Sequence, residues 1–120
     1  MMNSPPTILA VEDEKLLLDI LVIELEDVGY HVLQATSYEE ALSHLLEQAP
    51  IDALITDIRL PDRQSGWDLA EQVRGLLPNL PVIYVSGFSP EAPRRVAGSV
   101  MFAKPYRVSA IIQAIKDLGV

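Results

Sequence analysis

Five short apolar runs, four of them followed by a segment of clear helical periodicity, constrain this chain more than any other feature. The first run, "TILAV" (Thr7 to Val11), leads into "KLLLDILVIELEDVGY". There Leu17, Ile20, Leu21, Glu24, Leu25 and Val28 recur at three- and four-residue steps, and Gly29 supplies a helix stop. "HVLQA" precedes "SYEEALSHLLEQA", in which Ser37 and Glu40 have capping-box spacing and Ala41, Leu42, Leu45 and Leu46 share one side. "DALIT" precedes "SGWDLAEQVRGLL", with Ser65 and Asp68 at a similar spacing. "PVIYVS" precedes "SPEAPRRVAG", at most a short helix interrupted by Pro90 and Pro93. "SVMFA" precedes "RVSAIIQAIKDL", with Ile111, Ile112 and Ile115 predicted to face inward.

Strand followed by helix, five times over, predicts a parallel sheet covered by helices on both faces. The runs do not alternate apolar with polar residues, as befits strands buried on two sides. For five strands the predicted arrangement is the flavodoxin-like, doubly wound order 2-1-3-4-5, with a shortened fourth helix. Ligands in such sheets bind at the carboxyl ends of the strands, where the strand order reverses. At 120 residues the chain suits one domain. It has no cysteine, which excludes disulfides and thiolate metal sites. A formal charge of −8 opposes binding to nucleic acid phosphates. No apolar segment approaches the roughly 20 residues of a membrane helix, and the start "MMNSPPT" lacks the pattern of a signal peptide. A cytoplasmic protein is expected, with no nucleic acid or membrane partner.

The carboxyl ends of the strands carry the chemistry. Glu12 and Asp13 end the first strand, Asp57 the third, Ser86 the fourth and Lys104 the fifth. Strand order 2-1-3 sets the first and third strands side by side. Crowded carboxylates repel and raise one another's pKa, a cost that a divalent cation relieves. Hard oxygen ligands suit Mg2+. A lysine can pair with a carboxylate or a phosphoryl oxygen. An aspartate between a metal and a lysine is placed as a nucleophile toward phosphorus.

"VEDE", "DIRLP" followed by "SGWDLA", "VSG" and "KPY", in this order from Thr7 to Leu118, resemble the receiver domain of two-component response regulators. The resemblance implies a phosphoprotein of signal transduction, with residues 1–6 a disordered N-terminus and 7–120 the receiver domain. It implies that Asp57 accepts a phosphoryl group from a phosphohistidine on a histidine kinase or histidine phosphotransfer protein. Mg2+ would be held by Asp13, Asp57 and the backbone carbonyl of Arg59, with Glu12 acting through water. Ser86 and Lys104 would bind the phosphoryl oxygens, and the Lys104–Pro105 bond would be cis. Such a protein catalyses only its own phosphorylation and dephosphorylation.

Three features depart from the family pattern. The loop "PDRQSG" is one residue longer than the commonest version, so a changed loop around an intact site is expected. The interval from Ser86 to Lys104 is short, which puts the usual output face in doubt. Met101 stands where the family usually has a switching Tyr or Phe. Phe102 beside it is expected to point the other way, into the core. Arg59 and Phe88 each lie two residues beyond a site residue, flanking the path of attacking water in the family. The resemblance implies that Arg59 tunes the phosphoryl lifetime, and Phe88 is a second modulating position.

Other residues have plainer readings. Asp62 reads as a loop residue, Asp68 as a helix cap and Asp52 as a turn residue. His31 reads as a strand start, His44 as helix surface, Trp67 as packing, and Arg94 and Arg95 as a solvated face. Two other functions compete: a receiver-like scaffold that binds partners without phosphorylation, and an aspartyl-phosphate enzyme. The enzyme would need a second acid two residues past the nucleophile, where Arg59 stands. A nucleotide-binding domain would need a glycine-rich loop after the first strand, and none is there. The start "MMNSPP" favours an N-terminal or free-standing receiver.

Overall fold

A computed structural model describes residues 4–47, 49–87 and 94–120. Its elements in chain order are β1 (Thr7–Val11), α1 (Lys15–Asp27), β2 (His31–Ala35), α2 (Tyr38–Leu46), β3 (Ala53–Asp57), α3 (Gly66–Leu76), β4 (Val82–Ser86), β5 (Val100–Ala103) and α4 (Val108–Asp117). The five strands form one all-parallel sheet in the order β2-β1-β3-β4-β5, as the alternation predicts.

Each strand sends alternate side chains to opposite faces, and the sequence makes both sets apolar. Ile8, Ala10, Ile55, Ile83 and Val85 face one layer, with Leu18, Leu21 and Leu25 of α1 and Ile111 and Ile115 of α4. Leu9, Val11, Leu54, Val82 and Tyr84 face the other, with Ala41 and Leu45 of α2 and Leu69, Ala70 and Val73 of α3. β1 and β3 are buried along their whole length. Trp67 packs in this second layer against Tyr84, with ring centroids 4.7 Å apart and planes at 55°. Phe102 lies against the first layer and Met101 against the second, as alternation along β5 requires.

Both predicted helix starts are capped, in different ways. Ser65 and Asp68 form a complete capping box on α3. On α2, Ser37 Oγ accepts from Glu40 N at 3.1 Å, but the Glu40 carboxylate reaches one residue further back, to Thr36 N at 2.7 Å. The expected fourth helix falls partly on residues 88–93, outside the described residues, as do residues 1–3 of the expected disordered start. The described stretch 94–99 is not helical. It turns at Gly98, whose φ of +73° suits glycine, and it is tied down by side chains. Tyr84 Oη accepts from Val96 N at 3.2 Å, and Arg74 donates to Leu80 O at 2.7 Å and Ala97 O at 2.8 Å. Arg94 pairs with Asp68 at 2.9 Å and Glu71 at 2.5 Å on α3, rather than standing free in solvent.

Candidate functional site

Register brings the strand ends level. Val11 pairs with Thr56, Asp57 with Val85, and Ser86 with Ala103. The residues just beyond or at these ends therefore gather on one edge. Glu12 continues the β1 ladder, its N–H donating to Ala35 O at 3.0 Å, and Lys104 continues β5, its N–H donating to Ser86 O at 2.7 Å. Carboxylate oxygens of Glu12, Asp13 and Asp57 lie within 4.8 Å of one another. Glu12 and Asp57 are buried, at 1% and 3% exposure, whereas Asp13 is exposed. Asp13, Glu14, Asp57, Arg59, Ser86 and Lys104 line a cavity of about 210 Å³.

Lys104 Nζ stands between the two buried acids, 2.8 Å from Asp57 Oδ1 and 2.9 Å from Glu12 Oε1. The Glu12 contact is an ion pair by distance only, because Oε1 makes no aligned hydrogen bond among the described residues. Glu12 Oε2 accepts from Glu14 N at 3.1 Å. Asp57 Oδ2 is buried with no hydrogen-bond partner among the described residues. A buried polar atom without a partner costs about 1–3 kcal/mol, so this oxygen is open to a ligand.

The charges are unevenly shared. Burial pushes the Asp57 carboxyl well above the usual range, and adjacent Glu12 pushes it further, against the pull of Lys104. Burial would raise Glu12 as well, but the adjoining Asp57, the Lys104 ammonium and the hydrogen bond from Glu14 N–H outweigh it and hold Glu12 below its ordinary value. Burial works against the Lys104 ammonium, yet the two carboxylates carry its pKa up. Burial pushes the nearby Tyr106 phenol up to about 12. The donor set, three carboxylates with an orphaned buried oxygen, fits a hard divalent cation.

Backbone geometry fixes Asp57 as tightly as charge does. Gly66 N donates to Ile58 O at 2.7 Å, which brings the start of α3 against the end of β3. A Cβ at Gly66 would stand 2.0 Å from the Asp57 carbonyl oxygen. The Thr56 hydroxyl donates to that same carbonyl at 2.8 Å. Sequence reading quoted Gly66 within a motif without giving it this role; its place nine residues after Asp57, opening a helix, was the available signal. The Lys104–Pro105 bond is cis. Met101 is half-buried beside Tyr84, its β4 register partner. Phe88 lies outside the described residues. Asp62, read as a plain loop residue, instead caps α2: its two carboxylate oxygens accept from Tyr38 N and Glu39 N. Asp52 ties β3 to β1, accepting from Thr7 N at 2.8 Å.

A doubly wound parallel sheet with a lysine-bridged acid cluster at its switch point is the architecture of a receiver domain. The family model of the response regulator receiver domain matches residues 8–116, and the chain belongs to that family, which serves two-component systems. It is 29% identical over 118 residues to the response regulator receiver protein CpdR of Brucella abortus, covering 92% of this chain and 94% of that one. A crystal structure of a response regulator receiver protein from Sinorhizobium medicae superposes with a TM-score of 0.90 at 34% identity, covering 95% and 94% of the two chains. The Thermotoga maritima response regulator TrrA, solved in complex with Mg2+–BeF, superposes with a TM-score of 0.83 at 26% identity, covering 94% and 98%. Several other curated relatives are longer, and the chain spans half of their length or less. Among the described residues no helix is long and apolar enough to cross a membrane.

Proposed function

We propose that this receiver takes a phosphoryl group onto Asp57 from a phosphohistidine of a histidine kinase or histidine phosphotransfer protein, and that the modification switches protein–protein interactions. The observation that carries the reading is the buried Asp57 carboxylate, with one oxygen paired to Lys104 and the other without a hydrogen-bond partner among the described residues. In the transfer a carboxylate oxygen of Asp57 forms the P–O bond as the P–N bond to the donor imidazole breaks, and the ring leaves with the bonding pair. Lys104 stays charged throughout and offsets the negative charge on the phosphoryl oxygens. Ser86, on the rim of the same cavity, is in position to donate to one of them. Asp13, Asp57 and the Arg59 carbonyl would hold Mg2+, with Glu12 acting through water. That ion supplies positive charge to the acid cluster and to the transferring group. Arg59, on the cavity wall, is the candidate for setting how long the phosphoryl group survives.

A second groove, of about 610 Å³, opens beside the acid cavity and shares Glu14 and Lys104 with it. Leu17 and Ile20 of α1 and Pro105 and Tyr106 line it. A donor protein seated there is adjacent to Asp57.

The test is intact mass after treatment with acetyl phosphate, with Mg2+ or with chelator, on wild type and Asp57→Ala. One added phosphoryl group, requiring Mg2+ and absent from Asp57→Ala, is expected. An adduct that persists in Asp57→Ala would overturn the assignment. No adduct in wild type, together with no Mg2+-dependent change in Trp67 fluorescence on adding beryllofluoride, would favour a scaffold that binds without phosphorylation.

A further inference from the structure

We infer that Asp62 is a positioning residue: by capping α2 across space it holds the 58–65 loop, and with it Arg59, against the acid cavity. The inference rests on the phosphoacceptor reading above. The loop is fixed at its start by Ile58 N, which donates to Val85 O at 3.1 Å, and at its end by Gly66 N and the capping box of α3. Between these points Asp62 reaches out of the loop to another element. Its Oδ1 accepts from Tyr38 N at 3.1 Å and its Oδ2 from Glu39 N at 3.0 Å.

These are two of the N–H groups that a helix start leaves without an internal partner. The next one, Glu40 N, is taken by Ser37 Oγ. Asp62 and Ser37 therefore divide the helix start between them without overlap. A carboxylate there gains from the helix dipole and from charge-assisted hydrogen bonds. Because α2 is seated in the core through Ala41 and Leu45, it is the fixed partner and the loop is what the contact restrains. Arg59, on the cavity wall, lies in the part of the loop between the Ile58 and Asp62 anchors. Groups bonded directly to a metal ligand contribute about 10- to 100-fold to metal affinity; Asp62 would act on the Arg59 carbonyl only through the loop, so the lower end of that range applies.

The experiment compares Asp62→Ala, Asp62→Asn and Ser37→Ala with wild type, using Mg2+ titration calorimetry and hydrogen exchange of the metal-free protein. Ser37→Ala frays the same helix start without touching the loop. Asp62→Ala should accelerate exchange across 58–65 and weaken Mg2+ binding about 10-fold, whereas Ser37→Ala should change neither. Asp62→Asn, which keeps one acceptor oxygen, should fall between wild type and Asp62→Ala. Unchanged exchange and affinity in Asp62→Ala would overturn the inference. So would equal losses in Ser37→Ala, which would trace the effect to α2 itself. If wild type binds no Mg2+, the phosphoacceptor reading falls, and exchange across 58–65 alone decides whether Asp62 holds the loop.

Discussion

Gly66 and Tyr84 show how single residues set the geometry of the acid edge. At Gly66 any side chain meets backbone, the Asp57 carbonyl, and backbone cannot swing away as a flexible side chain can. Gly66→Ala is therefore expected to destabilise the protein by about 1–3 kcal/mol, the range for overpacked sites, as read by urea unfolding. It should also slow phosphorylation by acetyl phosphate, because the displaced carbonyl belongs to Asp57, the proposed acceptor. Tyr84 is fully buried against Trp67. Burial pushes its phenol up, and the hydrogen bond from Val96 N only partly offsets this. The unfolded phenol ionises near pH 10, so the folded one ionises later. Its contribution to stability is complete below about pH 10 and is lost as pH rises through the folded pKa. Unfolding free energy measured stepwise above that pH should fall more shallowly in Tyr84→Phe. At neutral pH the same variant should lose roughly 1 kcal/mol with its hydrogen bond.

At the scale of elements, what was legible in the sequence is what local pattern encodes. Continuous apolar runs marked the strands, and Ser65 with Asp68 marked the start of α3. That the acids, Ser86 and Lys104 gather together was legible because each stands at a strand end, and parallel topology places strand ends on one edge. The role of Asp62 was not legible. Its partners lie 23 and 24 positions away, and no local spacing announces that the loop after β3 abuts the start of α2. The Arg94 pairing with α3 was missed for the same reason. Helix α1 carries a message of another kind: Leu16, Ile20 and Ile23 are exposed at 72%, 43% and 65% along one flank. Ile20 also lines the groove beside the acid cavity, so on the proposed transfer this flank is what a donor protein would meet. Ile20→Asp should reduce phosphotransfer from a phosphohistidine protein at least several-fold, while acetyl phosphate, which needs no docking, labels it as before. Equal labelling by both donors would remove α1 from the docking surface.

For the whole molecule, the proposed Mg2+ site would make stability depend on the cation. A cation that binds only the folded state stabilises it by mass action, about 2.7 kcal/mol at a hundred times its Kd. The thermal midpoint should rise with Mg2+, and most of that rise should vanish in Asp13→Asn, whose side chain is exposed and structurally undemanding. The strand order also carries a consequence in time. β1, inside the sheet, is made before the other four strands, and β5, which brings Lys104, is an edge made after them. As the chain leaves the ribosome, Glu12 and Asp57 are complete long before their counter-charge exists. Two unpaired carboxylates are costly to bury, so until β5 docks that edge must remain hydrated or protonated. Arrival of the final strand and sealing of the acid pair are one event, and a nascent chain halted short of Lys104 would carry the whole sheet centre with its acid edge still open to water.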